Sequence, residues 1–356
     1  MLKSLQIENF RCFQRYELQQ LGRLNLLVGD NNSGKTSIIE AVNLLTARDN
    51  LESLREIMLK RGEYLFDEET NRRELEIRHL FHGRELTGGN TLSVTATNLN
   101  FNSYVSLQVR LTNEENSPSK QEYEFFMDRS FDALGEVITD SLSVDMTLPQ
   151  RRKKQKYSDW SGLVGVNTQF MHSSALSPHQ TLELFDAIVL TPEEDLVLES
   201  LRIIEPQIMR IAPILTGFQV NDSTARGGFF VKLSGHNRRV PIGSMGDGMW
   251  RMLSLALVLV NARNGFLLVD EIDTGLHFSA MSDMWRLIWR ASKRLNVQVF
   301  ATTHSSDCWT SLAEVSKSEN SDEDITIHRI EKGKESSVVF TEQQIKIAVE
   351  RGIEVR

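Results

Sequence analysis

Cysteine is nearly missing: Cys12 and Cys308 are the two in 356 residues. They are too few and too far apart in sequence for a disulfide framework or a cysteine metal cluster, which fits a reducing compartment. No apolar run approaches the length of a membrane span, and the start, MLKSLQIENFRCF, lacks the basic and then continuously apolar layout of a signal peptide. A cytoplasmic protein without membrane association is therefore expected. Positive charge is short too. A formal net charge of -8 at pH 7 argues against coating nucleic acid through the overall field and leaves that role to a local basic patch. There is no internal repeat and no heptad run long enough for a coiled coil. What remains, 40% hydrophobic and 25% charged residues, is an ordinary globular composition in a chain long enough for one large or two modest domains.

LKSLQIENF alternates as a half-buried strand and LNLLVG (24–29) reads as a fully buried one, followed by a Gly-containing turn and an apolar-periodic helix from Ile38 to Leu45. Residues 49 to about 160 change character. Alternating segments such as TLSVTATNL and YVSLQVRL and polar turns predict an inserted, mostly antiparallel β-lobe with no strongly periodic helix. Near its end RRKKQK (151–156) reads as a solvated loop or, alternatively, a contact for nucleic acid or another anionic partner. From LSPHQTLELFDAIV through TPEEDLVLESLRIIEPQIMRIAPI the pattern is helical, with Ser/Thr-Pro starts. GGFFVKLSG and RRVPIG suggest a hairpin, and MGDGMWRMLSLALVLVNARNG a helix buried nearly all round. FLLVDE, a helix with MWRLIWRASKRL, the buried strand VQVFATTH, two further strands and a short closing helix complete the chain.

Three stretches carry chemistry. Gly29-Asp-Asn-Asn-Ser-Gly34-Lys35-Thr36 matches G-x-x-x-x-G-K-[ST] between a buried strand and an apolar helix. Its glycines let the backbone wrap phosphates, Lys35 is expected to reach β and γ oxygens, and Thr36 can ligate Mg²⁺. The nucleotide-binding set is Gly29, Asn31, Asn32, Ser33, Gly34, Lys35, Thr36 and Ser37. FLLV then runs into two adjacent carboxylates, and burying even one unpaired carboxylate costs several kcal/mol. A metal repays that cost: Asp270 is expected to hold Mg²⁺ opposite Thr36, and Glu271 to accept a proton from the attacking water. His304, just past VQVFATT, stands where it can bond a γ-phosphate or orient water; a satisfied structural histidine is the alternative.

Taken in order, the phosphate loop, an insertion, GSMGDG before a buried helix, LLVDE and TTHS resemble the ABC-type ATPases of the OLD, RecF and SMC group. IENFRCF resembles that group's opening strand, and Asn31 sits where its phosphate loops favour asparagine. The resemblance implies an α/β P-loop NTPase of the ABC-ATPase head type, a mixed β-sheet core with an inserted antiparallel β-lobe and a helical lobe. Residues 1–48 and 163–356 would form the head and 49–162 the lobe. It places Ser244, Gly246 and Gly248 at the signature segment that reaches the γ-phosphate on a second subunit's loop, although SMGDG departs from a Leu-Ser-Gly-Gly core. Gln169 is the candidate for the glutamine that senses magnesium, an ordinary strand residue being the alternative. His277 stands where many relatives have an aspartate facing the opposing subunit. No metal set of Glu and Asp-x-Asp follows His304, so the nuclease domain of longer OLD proteins is not expected here. The expectation is a Mg-dependent ATPase, homodimeric or higher, that regulates a separately encoded nuclease or toxin in anti-phage defence or DNA maintenance. The rivals are a RecF-like DNA-binding ATPase acting through 151–156 and an ATP-gated scaffold with little turnover.

Overall fold

The computed structural model describes residues 1–47, 50–67, 72–85, 89–98, 102–112, 122–131, 137–142, 167–213, 228–236, 238–318 and 324–355. The chain divides into two compact units: Met1–Leu21, Asn31–Val166 and Ile330–Val338 form one, and Gly22–Asp30, Asn167–Arg329 and Val339–Arg356 the other.

In the first unit β1 (Leu2–Phe10) and β2 (Phe13–Leu18) make a hairpin in which Leu5 faces Leu18 and Phe10 faces Phe13. Leu5, Ile7 and Phe10, with Tyr16 and Leu18 across from them, are all buried. Helices α1 (Lys35–Thr46) and α2 (Asn50–Lys60) follow, then a small hairpin of β4 (Tyr64–Asp67) and β5 (Arg72–Leu75). The strands β6 (Thr91–Asn98), β7 (Asn102–Thr112), β8 (Glu122–Phe131) and β9 (Val137–Leu142) complete an antiparallel sheet of order β2-β1-β6-β7-β8-β9. The inserted stretch is thus antiparallel as its alternation predicts, and it pairs with the opening hairpin through β1 and β6. Helix α2 is an addition to the sequence reading of this stretch. The basic run at 151–156 lies outside the described residues.

The second unit is built on the order β10-β14-β15-β3-β16-β17, from β3 (Leu24–Val28), β10 (Thr168–Met171), β14 (Phe266–Val269), β15 (Gln298–Thr302), β16 (Ile325–Arg329) and β17 (Val338–Thr341). From β10 to β16 every pairing is parallel. Strands β3, β14 and β15 are buried at every residue, as parallel strands covered on both faces must be. The helices are α3 (Pro178–Asp186), α4 (Glu193–Arg202), α5 (Asp247–Asn261), α6 (Phe278–Leu295), α7 (Ser306–Ser318) and α8 (Glu342–Arg351). Ser177 caps α3 in a reciprocal capping box ahead of Pro178, and Glu193, Glu194 and Asp195 fill the first turn of α4. Phe185 of α3 meets Phe229 edge-on at 5.3 Å, and Phe229 meets Trp250 of α5 at 6.3 Å.

A second element, besides α2, differs from its reading. Residues 208–213, read as helix, are strand β11 (Ile208–Pro213), which pairs antiparallel with β12 (Phe229–Leu233). The hairpin of β12 with β13 (Val240–Pro241) is as expected. Ile208 and Ile211 are both buried at a three-residue spacing that imitates a helix. A register shift between Ile208 and Arg210 produces that spacing in a strand, because a bulge sets two residues against one.

Candidate functional site

Parallel pairing sends the carboxyl ends of β10, β14, β15 and β3 to one edge, where ligands of open α/β sheets collect. His172 leaves β10 there, Asp270 and Glu271 leave β14, Thr303 and His304 leave β15, and Gly29 leaves β3. The two strands that end in the phosphate loop and in the acidic pair are separated by β15 alone.

The acidic pair is held by hydroxyls. Thr302 Oγ1 donates to Asp270 Oδ1 at 2.7 Å and accepts the backbone N–H of Glu271 at 2.8 Å. One buried hydroxyl therefore fixes both the carboxylate of one acid and the main chain of the next. Thr303 Oγ1 donates to Asp273 Oδ1 at 2.6 Å and accepts the N–H of Ser305 at 2.9 Å. Glu271 itself has a left-handed backbone, φ 49°, a conformation costly for a side chain with a Cβ and typical of functional turns. It turns the chain off the strand axis and leaves the carboxylate half-exposed. Thr274 Oγ1 donates to Glu271 Oε2 at 3.2 Å, and His304 Nε2 lies 3.8 Å from Glu271 Oε1.

The phosphate loop takes the backbone its glycines permit: φ is 140° at Gly29, 104° at Gly34 and 60° at Asn32. Within the first unit Gly34 lies against the hairpin tip. A Cβ there would collide with the Phe13 ring and stand 2.8 Å from Cys12 Sγ, so glycine is demanded by space as well as by φ. Lys35 opens α1 and is buried, as is Ser33, whose Oγ has no hydrogen-bond partner among the described residues. A buried hydroxyl left without a partner in a loop of this backbone suits an incoming phosphate. Helix α1 is anchored further on. Arg61 Nε reaches Glu40 Oε1 at 2.6 Å, Arg11 Nε lies 3.3 Å from Glu40 Oε2, and Arg11 also pairs with Glu63. Burial pushes the Glu40 carboxyl up, and Arg11 and Arg61 oppose that shift.

Ser244 lies exposed in a single 3₁₀ turn (Ile242–Met245), its hydroxyl donating to Pro241 O at 2.7 Å. Gly246 follows at φ 94°, ψ 169°, and α5 begins at Asp247. A Cβ on Gly248 would stand 2.9 Å from Gly275 O, so this helix start packs on the turn that follows the acidic pair. Gln169 lies inside β10 in register with Leu267, ahead of the strand end. His277 caps α6, its ring 4.3 Å from that of Phe278 at a tilt of 40°, and Phe278 is 61% exposed. Among the described residues no group of three or more His, Cys, Asp or Glu is arranged to hold a metal, and magnesium carried by nucleotide phosphates needs no such cage. Nor is any described helix long and apolar enough to cross a membrane.

Sequence reasoning missed Thr302, Thr303 and Arg251. The only signals for them were two hydroxyls ending an apolar strand and one cation inside the most apolar helix. Arg251 is 3% exposed and donates to main-chain carbonyls on both sides of the acidic pair's strand end.

The family model described as "AAA domain, putative AbiEii toxin, Type IV TA system" matches residues 24–307. The chain belongs to this AAA-domain family. Its matched span runs from β3 into α7 and so includes every candidate residue named above. The ATP/GTP phosphatase of Helicobacter pylori is 22% identical over 355 residues, covering 86% of each chain. The OLD nuclease of Thermus scotoductus is 42% identical over 67 residues, 19% of this chain and 12% of that one. A solved Smc head domain with an extended coiled coil, derived from Pyrococcus furiosus and bound to the C-terminal domain of ScpA, superposes with a TM-score of 0.49 at 14% identity, over 99% of each chain. The expected kinship with OLD- and RecF-like ATPases stands.

Proposed function

We propose that this AAA-family protein hydrolyses ATP with Mg²⁺ at the parallel-strand edge, that two subunits enclose two nucleotides, and that the cycle governs a separately encoded effector. The observation that carries the reading is Thr302, whose hydroxyl orients Asp270 and pins the N–H of Glu271 on the strand beside β3. Bound magnesium supplies charge neutralisation for the phosphates, with Thr36 and Asp270 as the groups to hold it. Lys35 contacts the β and γ oxygens, and the loop amides bind the phosphate chain. Glu271 takes a proton as water attacks the γ-phosphorus and the bond to the β-bridging oxygen breaks, leaving ADP and phosphate. His304 orients the γ-phosphate, and Gln169 is the candidate for sensing magnesium. Ser244 and Gly246 of a second subunit complete each site, a role supported by their exposure at a helix start. The family's description as a toxin of a type IV system supports an effector-coupled role in bacterial defence or DNA maintenance.

ATP hydrolysis by the wild type and by Glu271→Gln decides the matter. The substitution removes the base and should lower kcat about 10²-fold or more while ATP still binds. Indistinguishable background rates in the two proteins would refute turnover.

A further inference from the structure

Helix α5 holds a residue that nothing in the proposed chemistry uses. Its fifteen residues, DGMWRMLSLALVLVN, are almost all apolar and buried, yet Arg251 sits among them at 3% exposure. Burying a guanidinium is costly unless its donors are satisfied. Its hydrogen bonds go to main-chain oxygens. Nη1 donates to His172 O at 2.8 Å, Ser173 O at 3.0 Å and Ser174 O at 3.1 Å, all just past β10. Nη2 donates to Asp270 O at 3.1 Å and Glu271 O at 2.9 Å. Nε is buried with no partner among the described residues.

The choice of arginine is informative. A planar fork spans two loops at once, which a lysine ammonium does not do. The Nη2 bonds fall on the carbonyl of Glu271 and on the one before it, where the backbone is left-handed at φ 49°. Burial draws the guanidinium pKa down to about 10, and the charges of Asp270, Asp273 and Glu271 oppose that, so it stays a cation at neutral pH. One turn before Arg251 the same helix starts from the Ser244–Gly248 segment, and Gly248 rests on Gly275 O five residues past Asp270.

We infer that Arg251 is a positioning residue that ties the Ser244–Gly248 segment to the backbone of Glu271, so that water activation depends on how that segment is engaged. The inference rests on the ATPase reading above. A rigid helix with one contact at its start and one a turn later moves the Asp270–Gly275 turn whenever its start moves. Misplacing a proton acceptor by about 1 Å costs on the order of 100-fold in turnover without weakening substrate binding.

The test begins with the wild type, since absence of its ATPase activity would sink the functional reading and leave Arg251 out of the account. With an active wild type, Arg251→Lys should lower kcat about 100-fold, with KM for ATP within about threefold and the thermal midpoint nearly kept. Ser244→Ala should then lower kcat about tenfold in the wild type and by clearly less in the Arg251→Lys background, where only its direct contact in the second subunit's site remains to be lost. Additive losses, an unchanged kcat, or parallel losses of kcat and folded fraction would each overturn the proposal. Should Arg251→Lys fail to fold, Arg251→Ala is assayed with millimolar methylguanidinium. Recovery of kcat at constant KM supports the inference; a folded variant indifferent to methylguanidinium, or one that also fails to fold, marks a structural staple and overturns it.

Discussion

Thr302 shows how much one hydroxyl can set at the scale of a residue. Fully buried, it spends its proton on Asp270 and its lone pair on Glu271 N–H. Thr302→Val keeps the shape and removes both bonds, leaving a main-chain donor unpaired at a part-buried turn. The expected cost is about 1–3 kcal/mol of stability, with a higher Mg²⁺ concentration for half-maximal ATPase. Thr302→Ser should keep most of both. Denaturant melts and a magnesium titration of the rate check this, and a valine variant that matches wild type in both would refute the orienting role. Arg11 and Glu40 work at the same scale for α1, where a buried ion pair ties the hairpin tip to the helix that Lys35 opens.

At the scale of elements, the parallel strands decide where chemistry collects, and a buried polar ladder joins two of them. Asn25 on β3 donates to Gly22 O at 3.0 Å and Val299 O at 3.1 Å and accepts from Thr326 Oγ1 on β16 at 2.9 Å. With that proton committed, His328 Nε2–H donates to the Thr326 oxygen at 3.1 Å. Thr326 and His328 are two apart and so share a face of β16. Burial holds the imidazole neutral, its pKa pushed from 6.5 down to about 3. Below pH 6.5 the unfolded chain takes up a proton that the folded chain refuses. This contribution is therefore whole above pH 6.5 and is lost as pH falls toward 3, at up to about 1.4 kcal/mol per pH unit. Melting at pH 7.5 and 4.5 should show a smaller acid-side drop for His328→Gln than for wild type; equal drops would count against the ladder as its source. The strand β11 belongs to this scale as well. Its isoleucine spacing misleads a periodicity reading because the bulge exists only in the pairing with β12.

For the whole molecule the question is a second copy. His277 and the 61%-exposed Phe278 form a tilted aromatic pair at the start of α6, on the segment expected to face another subunit. Glu271→Gln with ATP should migrate as a dimer by light scattering, and adding Phe278→Asp should return it to monomer while leaving ATP binding intact; a dimer that survives Phe278→Asp would remove this face from the interface. Much of the site was legible in the chain. G-x-x-x-x-G-K-T, the apolar run into Asp270-Glu271 and the strand before His304 are local patterns, and local patterns persist in sequence because spacing alone sets which groups share a turn or a strand end. The tertiary structure decided the rest. It paired β1 with β6, set Thr302 beside Asp270 across a 32-residue separation, and brought Arg251 to carbonyls 77 to 79 residues earlier in the chain. A backbone carbonyl looks the same at every residue, so a side chain that reads carbonyls leaves no partner in the sequence to be recognised.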